Sequence, residues 1–165
     1  MKKYYETYVI SAFPGCGKSY CFKKYQDKFT ILDSDSSEFS WIKDRNGNNT
    51  KERNANFPQN YITHIKNNIG KVDIIFVSSH ETVRKALVEN NIRFTLVYPH
   101  KSCKTEWIER FKNRGNDSKF IDFISNNWNK FIDDMDNDRY IEKKIKLNSN
   151  EYINCDLLKK LINHI

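Results

Sequence analysis

This chain of 165 residues lacks long hydrophobic runs, internal repeats and any dense set of cysteines. No run approaches the roughly 18 apolar residues of a membrane-spanning helix, and the basic amino-terminal start lacks the apolar stretch of a signal peptide. The 4 cysteines show neither the close pairs of a zinc site nor a disulfide framework. These absences favour free thiols in a reducing cytoplasm and a protein without a membrane partner.

The composition permits a packed core, because 38% of the residues are hydrophobic and 14% are aromatic. Disorder along the whole chain is therefore not expected, and the length suits one domain that spans residues 1–165. Lys and Arg outnumber Asp and Glu by 28 to 21, which gives a formal net charge of +7. This excess suits an anionic partner such as a nucleotide, a nucleic acid or an acidic surface, although a surface adapted only for solubility would look the same.

Short β-rich runs alternate with helical patterns along the chain, which predicts a parallel, doubly wound α/β sheet. The predicted strands cover residues 8–13, 29–32, 72–77, 94–98 and 141–147, the last as an exposed edge. Helical periods cover residues 18–27, 58–69, 81–90, 105–114, 117–135 and 156–165. Residues 43–56 have no apolar period and are predicted to form a mobile surface loop, with the option of ordering over a substrate.

The sequence FPGCGKS at positions 13–19 directly follows the first predicted strand and opens a helix. It matches the end of the phosphate-loop pattern at Gly17, Lys18 and Ser19, with Ala12 where that pattern has its first glycine. Glycines let backbone N–H groups turn toward phosphate oxygens, the lysine reaches the β- and γ-phosphates, and the serine hydroxyl binds Mg²⁺. An ordinary glycine turn is the alternative. The predicted nucleotide contacts are Pro14, Gly15, Cys16, Gly17, Lys18, Ser19 and Tyr20.

Asp33 and Asp35 follow the second predicted strand, at the sheet edge where the phosphate loop also lies. One carboxylate is expected to support Mg²⁺ and the other to accept the proton of an incoming hydroxyl. We assign Asp33, with Ser19, to the metal and favour Asp35 as the base. The alternative is that Asp35 or Ser36 only caps the next helix.

The third predicted strand ends in Ser78 and Ser79, where an acidic residue that supports Mg²⁺ would be expected. Ser19 with Asp33, or a water molecule bound by Ser78, must then support the metal. His80 follows and is a candidate for substrate contact, although a capping role for Ser79 before residues 81–90 is an equal alternative.

Arg110 and Arg114 are four residues apart near the end of a predicted helix, so they share one helix face. Gly115 is expected to end that helix, and Asp117 to begin the next. Two guanidinium groups that project from such a helical hairpin would form a lid, over about residues 100–120, that neutralises charge on a transferring phosphoryl group. The alternative is a solvated basic face whose arginines pair with Glu106 and Glu109.

Three segments together resemble the P-loop kinase superfamily: AFPGCGKS at 12–19, the carboxylates at 33 and 35, and ERFKNRG at 109–115. That superfamily includes nucleoside monophosphate kinases, shikimate-type kinases and polynucleotide kinases. The chain is also similar to small bacteriophage kinases, of which some are described as deoxynucleotide kinases and others as 5-hydroxymethyluracil DNA kinases. The resemblance implies a three-layer fold with a five-stranded parallel sheet in the order 2-3-1-4-5, a Mg²⁺–ATP donor and an arginine lid.

The expected function is therefore ATP-dependent phosphoryl transfer to a nucleotide-type acceptor, with DNA as a possible partner and Lys18, Asp35, Arg110 and Arg114 as catalytic residues. A phage-encoded enzyme would work in the host cytoplasm. The alternatives are a small-molecule hydroxyl kinase and a non-catalytic, regulatory nucleotide-binding module. A helicase or motor ATPase fits poorly, because the chain is short and has no second acidic strand end or arginine-finger arrangement.

Overall fold

The computed structural model describes residues 6–162. In chain order its elements are β1 (Tyr8–Ala12), α1 (Lys18–Lys24), β2 (Ile31–Asp33), α2 (Ser37–Ser40), β3 (Trp41–Lys43), β4 (Asn49–Arg53), α3 (Gln59–Asn68), β5 (Ile74–Ser78), α4 (Glu81–Glu89), β6 (Thr95–Pro99), a short 3₁₀ turn (Lys101–Cys103), α5 (Lys104–Asn113), α6 (Ser118–Asp136), β7 (Lys143–Leu147) and α7 (Cys155–Ile162). The helix predicted over 156–165 is present as far as Ile162. Residues 163–165, like the basic start at 1–5, lie outside the described residues.

Five parallel strands form the central sheet in the order β2-β5-β1-β6-β7. Counted among themselves, these strands follow the predicted order 2-3-1-4-5. The phosphate-loop strand, β1, is therefore central, and β7 is an edge strand as predicted. The predicted fold class is confirmed. None of the helices within residues 6–162 is long and apolar enough to cross a membrane.

Helices cover both faces of the sheet because successive strand residues point to opposite sides. In β5, Ile75 and Val77 face a cluster formed with α3 and α4, whereas Ile74 and Phe76 face a second cluster. The larger second cluster includes residues of α1, α5, α6 and α7. Both faces of the central strands are buried. The sheet is therefore a rigid support for the loops that leave the carboxyl ends of its strands.

The helical hairpin of α5 and α6 forms as its end signals predict. Gly115, with φ of 79°, follows α5, and its N–H donates to the Lys112 carbonyl at 3.0 Å. The next N–H, of Asn116, donates to the Phe111 carbonyl at 3.1 Å, which completes a Schellman motif. Asp117 then caps α6, because its side chain accepts the Phe120 N–H at 2.8 Å.

The prediction of an irregular loop over residues 43–56 is wrong, because β3 and β4 form an antiparallel hairpin there. The carboxylate of Asp44 accepts the N–H groups of Asn46 and Asn48, both at 2.9 Å, and so organises the turn. Across the two strands, the guanidinium of Arg53 lies 4.0 Å from the ring centre of Trp41. This hairpin depends on the side chain of one turn residue and on one cross-strand pair. It therefore has little of the hydrophobic periodicity from which strands are predicted.

Candidate functional site

The phosphate loop leaves β1 at the carboxyl edge of the sheet and takes two turns that favour glycine. Gly15 has φ of 83° and Gly17 has φ of 101°, and both values lie in the left-handed region. A Cβ atom on Gly15 would lie only 2.9 Å from Cδ1 of Trp107, so α5 packs directly against the loop. Trp107 also donates from Nε1 to the Pro14 carbonyl at 3.1 Å. The contacts with α5 therefore fix the conformation of the phosphate loop.

Cys16 points its side chain into the core and presents only its backbone to the loop. The thiol is fully buried, and this burial raises its pKa to about 12. Its carbonyl accepts the N–H of Ile153 at 2.9 Å, which attaches the segment after β7 to the loop. Any contact of Cys16 with a phosphate must therefore come from its N–H.

Lys18 begins α1 and lines the large cavity at this edge of the sheet. Desolvation lowers the pKa of its ammonium, and the positive charge of Arg114 acts in the same direction, while Asp33 and Asp35 raise it. The ammonium of Lys18 thus lies in the field of two carboxylates and one guanidinium. This grouping brings together four residues that the sequence assigned to the site.

Ser19 and Asp33 meet as the predicted metal pair, with the Ser19 hydroxyl donating to Oδ2 of Asp33 at 3.3 Å. A hydroxyl and a carboxylate are hard oxygen ligands, and Mg²⁺ in nucleotide sites takes few protein ligands beside phosphates and water. Tyr20 lies on the rim, 57% exposed, where its hydroxyl accepts from Nζ of Lys24 at 2.9 Å. The Ser19–Asp33 pair fits a nucleotide-bound Mg²⁺, and Tyr20 is available to a ligand in the cavity.

Asp35 lies at the cavity wall and also caps α2. Its Oδ1 accepts the N–H of Ser37 at 2.9 Å, whereas Ser36 makes no capping hydrogen bond from its side chain. The capping alternative is thus realised for Asp35. Because an exposed carboxylate has further acceptor sites, the cap leaves Asp35 able to accept a proton from a substrate.

A tyrosine that the sequence reading did not single out holds the acidic segment in place. Tyr61 of α3 is fully buried, and its hydroxyl donates to the Ser34 carbonyl at 2.6 Å. The same oxygen accepts the N–H of Ser78 at 3.2 Å. The hydroxyl therefore joins the ends of β2 and β5. In the sequence, its four-residue spacing from Ile65 indicates only a core position on a helix.

His80 follows β5 and lines the same cavity as Lys18. The alternative of a cap by Ser79 is not realised: the N-cap residue of α4 is His80, and the Ser78 hydroxyl accepts the His80 N–H at 3.3 Å. Although the edge of the imidazole meets solvent, the surrounding cavity walls desolvate it and lower its pKa, and Lys18 lowers it further. His80 is therefore a neutral hydrogen-bonding group at neutral pH.

Arg110 does not project from the hairpin, so the prediction of two exposed lid arginines is wrong for this residue. Its side chain is only 7% exposed and donates to the Gly15 carbonyl at 2.9 Å and to the Glu151 carbonyl at 2.8 Å. A salt bridge of 2.8 Å joins it to Glu106. The guanidinium is sandwiched between two aromatic rings, whose centres lie 3.7 Å away in Trp107 and 3.8 Å away in Tyr152.

Arg114, in contrast, is exposed at the end of α5, although both arginines line the large cavity. The arginines differ because α5 packs so closely on the phosphate loop that its inward face is buried one turn before its end. The segment after β7 also reaches this cavity, which the sequence did not indicate: Asn150, Tyr152 and their neighbours form part of its wall. Glu106 holds that segment by accepting the Ser149 hydroxyl and the Asn150 N–H, both at 2.8 Å.

The cavity has a volume of about 1250 Å³ and collects the predicted groups on one open surface. It is lined by the phosphate loop except Cys16, by residues 33–36 and 78–80, by Arg110 and Arg114, and by residues 150–154. Cavities of about 300–1,000 Å³ are typical for small ligands, so there is room for a nucleotide and a second molecule. Among the described residues there is no group of three or more His, Cys, Asp and Glu side chains that could hold a metal ion.

Two comparisons with known proteins found matches. A protein-family model described as the viral superfamily 1 RNA helicase core domain matches residues 8–76, which is less than half of the chain. A solved gluconokinase from Sinorhizobium meliloti 1021 matches with a TM-score of 0.50 and 12% identity, over 98% of this chain and 91% of that one. The chain has the fold of a P-loop kinase. None of the curated proteins matches its sequence.

Proposed function

We propose that this protein transfers the γ-phosphoryl group of Mg²⁺–ATP to a hydroxyl or phosphate of a nucleotide-type acceptor. The observation that carries the proposal is the grouping of Lys18, the Ser19–Asp33 pair and Asp35 around one cavity. Binding alone requires the phosphate loop. A carboxylate poised beside the lysine adds the general base that a transfer reaction needs.

In this mechanism the loop N–H groups and Lys18 bind the β- and γ-phosphates. Ser19 and Asp33 would hold Mg²⁺, which would supply charge neutralisation on the phosphates. Asp35 accepts the proton of the attacking hydroxyl, and Arg114 stabilises the charge on the transferred group. Arg110 acts indirectly, because it positions the loop through the Gly15 carbonyl instead of contacting the nucleotide phosphates. Catalysis is then mainly positioning and electrostatic stabilisation.

The similarity to a gluconokinase keeps a small-molecule hydroxyl kinase as a second candidate. The resemblance to bacteriophage deoxynucleotide and 5-hydroxymethyluracil DNA kinases supports a nucleotide-type acceptor at the same site. A helicase is less well supported, because the family-model match stops at residue 76 and β5 ends in Ser78 instead of an acidic residue. A regulatory nucleotide-binding module needs the phosphate loop but makes no use of Asp35.

The test is a labelled-ATP transfer screen against nucleoside monophosphates, small polyols, and DNA with ordinary and hydroxymethylated bases. Lys18→Ala should abolish transfer with every acceptor, since the phosphates lose their main cation. Asp35→Asn keeps a side-chain oxygen for the Ser37 cap, so the fold should be retained while the rate falls at least about 10²-fold.

Transfer that survives in the Lys18→Ala variant would contradict the site. Magnesium-dependent ATP binding without transfer to any acceptor, unchanged by Asp35→Asn, would favour the regulatory module. Asp27→Asn serves as the matched control, because Asp27 is exposed in the turn after α1 and does not line the cavity. Its rate should equal that of the wild type.

A further inference from the structure

The carboxylate proposed as the base lies beyond the end of its strand. β2 ends at Asp33, which is held in the sheet by its pairing with Phe76 of β5. Asp35 follows two residues later and is exposed. Its hydrogen bond with the N–H of Ser37 joins it only to the first turn of α2, on the same segment. The position of Asp35 therefore depends on Ser34, the residue that connects it to the sheet.

Ser34 is held through its N–H, its carbonyl and its hydroxyl. The residue is buried, with 5% of its surface exposed. Its N–H donates to the Phe76 carbonyl at 3.0 Å, and its carbonyl accepts the Tyr61 hydroxyl at 2.6 Å. The third group, the hydroxyl, lies 2.9 Å from Nε2 of His64. The side chain of Ser34 is therefore fixed by a histidine of α3.

His64 is oriented by two aromatic rings. It lies on the same face of α3 as Tyr61, because the two residues are three apart in a helix. Its ring centre lies 4.7 Å from that of Phe39 in α2 and 6.5 Å from that of Tyr61, whose ring is parallel to it within 8°. These contacts fix the plane of the imidazole and direct Nε2 toward the Ser34 hydroxyl.

The contact of His64 with Ser34 differs from ordinary core packing in two ways. Its partner is the residue between Asp33, the proposed metal ligand, and Asp35, the proposed base. Desolvation lowers the pKa of His64, so the imidazole is neutral at neutral pH and Nε2 is able to accept the hydroxyl proton of Ser34. The pair therefore holds the segment without placing a further charge beside the two carboxylates.

We propose that His64 is a positioning residue, which fixes the Asp35 carboxylate through the Ser34 hydroxyl. This inference rests on the proposed phosphoryl transfer and extends it to a residue that does not line the large cavity. The hydrogen bond limits the movement of Ser34 and so keeps Asp35 at the distance that proton acceptance requires. Small movements are enough to matter, because a misplacement of about 1 Å can lower a rate about 10²-fold.

The kinetics of phosphoryl transfer separate the hydrogen bond of His64 from its ring. His64→Phe keeps the aromatic contacts and removes the nitrogen that meets Ser34, so kcat should fall at least about tenfold. The KM for Mg²⁺–ATP should stay unchanged, because Asp33 is held by the sheet and the phosphate loop is untouched. His64→Gln places an amide near the position of Nε2 and should recover most of the lost kcat.

Thr63→Val is the matched control, since it removes a side-chain hydrogen bond from the neighbouring residue of α3. The Thr63 hydroxyl donates to the Gln59 carbonyl of its own helix at 3.0 Å, and the residue is exposed. Its kcat should equal that of the wild type. A loss as large as that of His64→Phe would contradict a specific role for the histidine.

A double-mutant cycle shows whether His64 acts through Ser34. Ser34→Ala should lower kcat about as much as His64→Phe does. The two changes together should lower it no further, because each removes the same hydrogen bond. Independent effects, which would multiply in the double variant, would contradict the route through the Ser34 hydroxyl.

Backbone hydrogen exchange tests the positioning without any transfer reaction. The N–H groups of residues 34 and 37 donate to the Phe76 carbonyl and to the Asp35 carboxylate, so they report on both ends of the segment. Their exchange should be at least about tenfold faster in His64→Phe and Ser34→Ala than in the wild type and in Thr63→Val. The N–H groups of α6 should exchange as in the wild type, which shows that the fold is retained.

The two measurements distinguish a failure of this inference from a failure of the proposed function. Unchanged exchange at residues 34 and 37 in both His64→Phe and Ser34→Ala overturns the inference, as does a His64→Gln variant that transfers as slowly as His64→Phe. Faster exchange in those two variants, with a wild type that transfers to none of the acceptors, contradicts the proposed function alone.

Discussion

The difference between the two arginines of α5 can be tested by replacing each with methionine. Arg110 donates hydrogen bonds to two carbonyl groups and to Glu106, and its side chain is only 7% exposed. Arg114 is exposed at the end of the same helix. The two variants therefore make the same chemical change four residues apart, in opposite environments.

Arg110→Met should lower the free energy of unfolding by about 3–5 kcal/mol. Each hydrogen bond from a charged donor contributes about 1.5–3 kcal/mol, but these contributions are not additive. The variant also leaves the partly buried Glu106 carboxylate without its guanidinium, and breaking a buried ion pair has an effect of similar size. Arg114→Met, at the surface, should change stability by no more than about 0.5 kcal/mol.

The assay is urea unfolding followed by tryptophan fluorescence, which the three tryptophans permit. Transfer activity, measured where each variant is folded, should show the reverse order, because Arg114 is exposed in the cavity whereas Arg110 is held by Gly15, Glu106 and Glu151. If Arg110→Met were within about 1 kcal/mol of the wild type, the guanidinium could not be the connection between the phosphate loop and α5.

Two further predictions concern the loop glycine and the buried thiols. Gly15→Ala and Gly47→Ala both place a Cβ at positive φ, but only the Cβ at Gly15 meets Trp107, at 2.9 Å. In urea unfolding, Gly15→Ala should therefore lower the free energy of unfolding by about 1–3 kcal/mol more than Gly47→Ala does. Equal losses in the two variants would contradict this packing. Burial raises the pKa of both Cys16 and Cys21 to about 12, above the value of 9.0 that applies when the chain is unfolded. Stability should therefore be full below about pH 9 and fall as the pH rises toward 12, by up to about 1.4 kcal/mol per pH unit for each thiol. The decline should be shallower in Cys21→Ala, and an identical pH profile in urea unfolding would contradict this assignment.

The sheet and the phosphate loop could be predicted from the sequence because both depend on local patterns. Buried runs such as residues 72–77 must be covered on both faces, and glycine beside lysine and serine after a strand has few other uses. The end of α5 at Gly115 and the start of α6 at Asp117 could be predicted for the same reason, since helix caps are local features.

The features that the sequence did not reveal depend on contacts between distant elements. Arg110 and Arg114 are equivalent by helical spacing, and only the approach of α5 to Gly15 separates them. Tyr61 reads as a core residue until the ends of β2 and β5 are placed on either side of its hydroxyl. The β3–β4 hairpin depends on the side chain of Asp44 and has almost no hydrophobic signature.

The packing of α5 limits which part of the predicted lid can move over a bound nucleotide. Trp107 is hydrogen-bonded to Pro14, and Arg110 to Gly15 and Glu151, so the first two turns of α5 move only if the phosphate loop moves with them. Beyond Phe111 the chain is mostly exposed, and Gly115 turns there with nothing within 4 Å of its would-be Cβ. A rearrangement that brings Arg114 onto the phosphoryl group of the proposed reaction therefore needs only the last turn of α5 and the Gly115 turn, while the loop proposed to bind the donor phosphates keeps its shape.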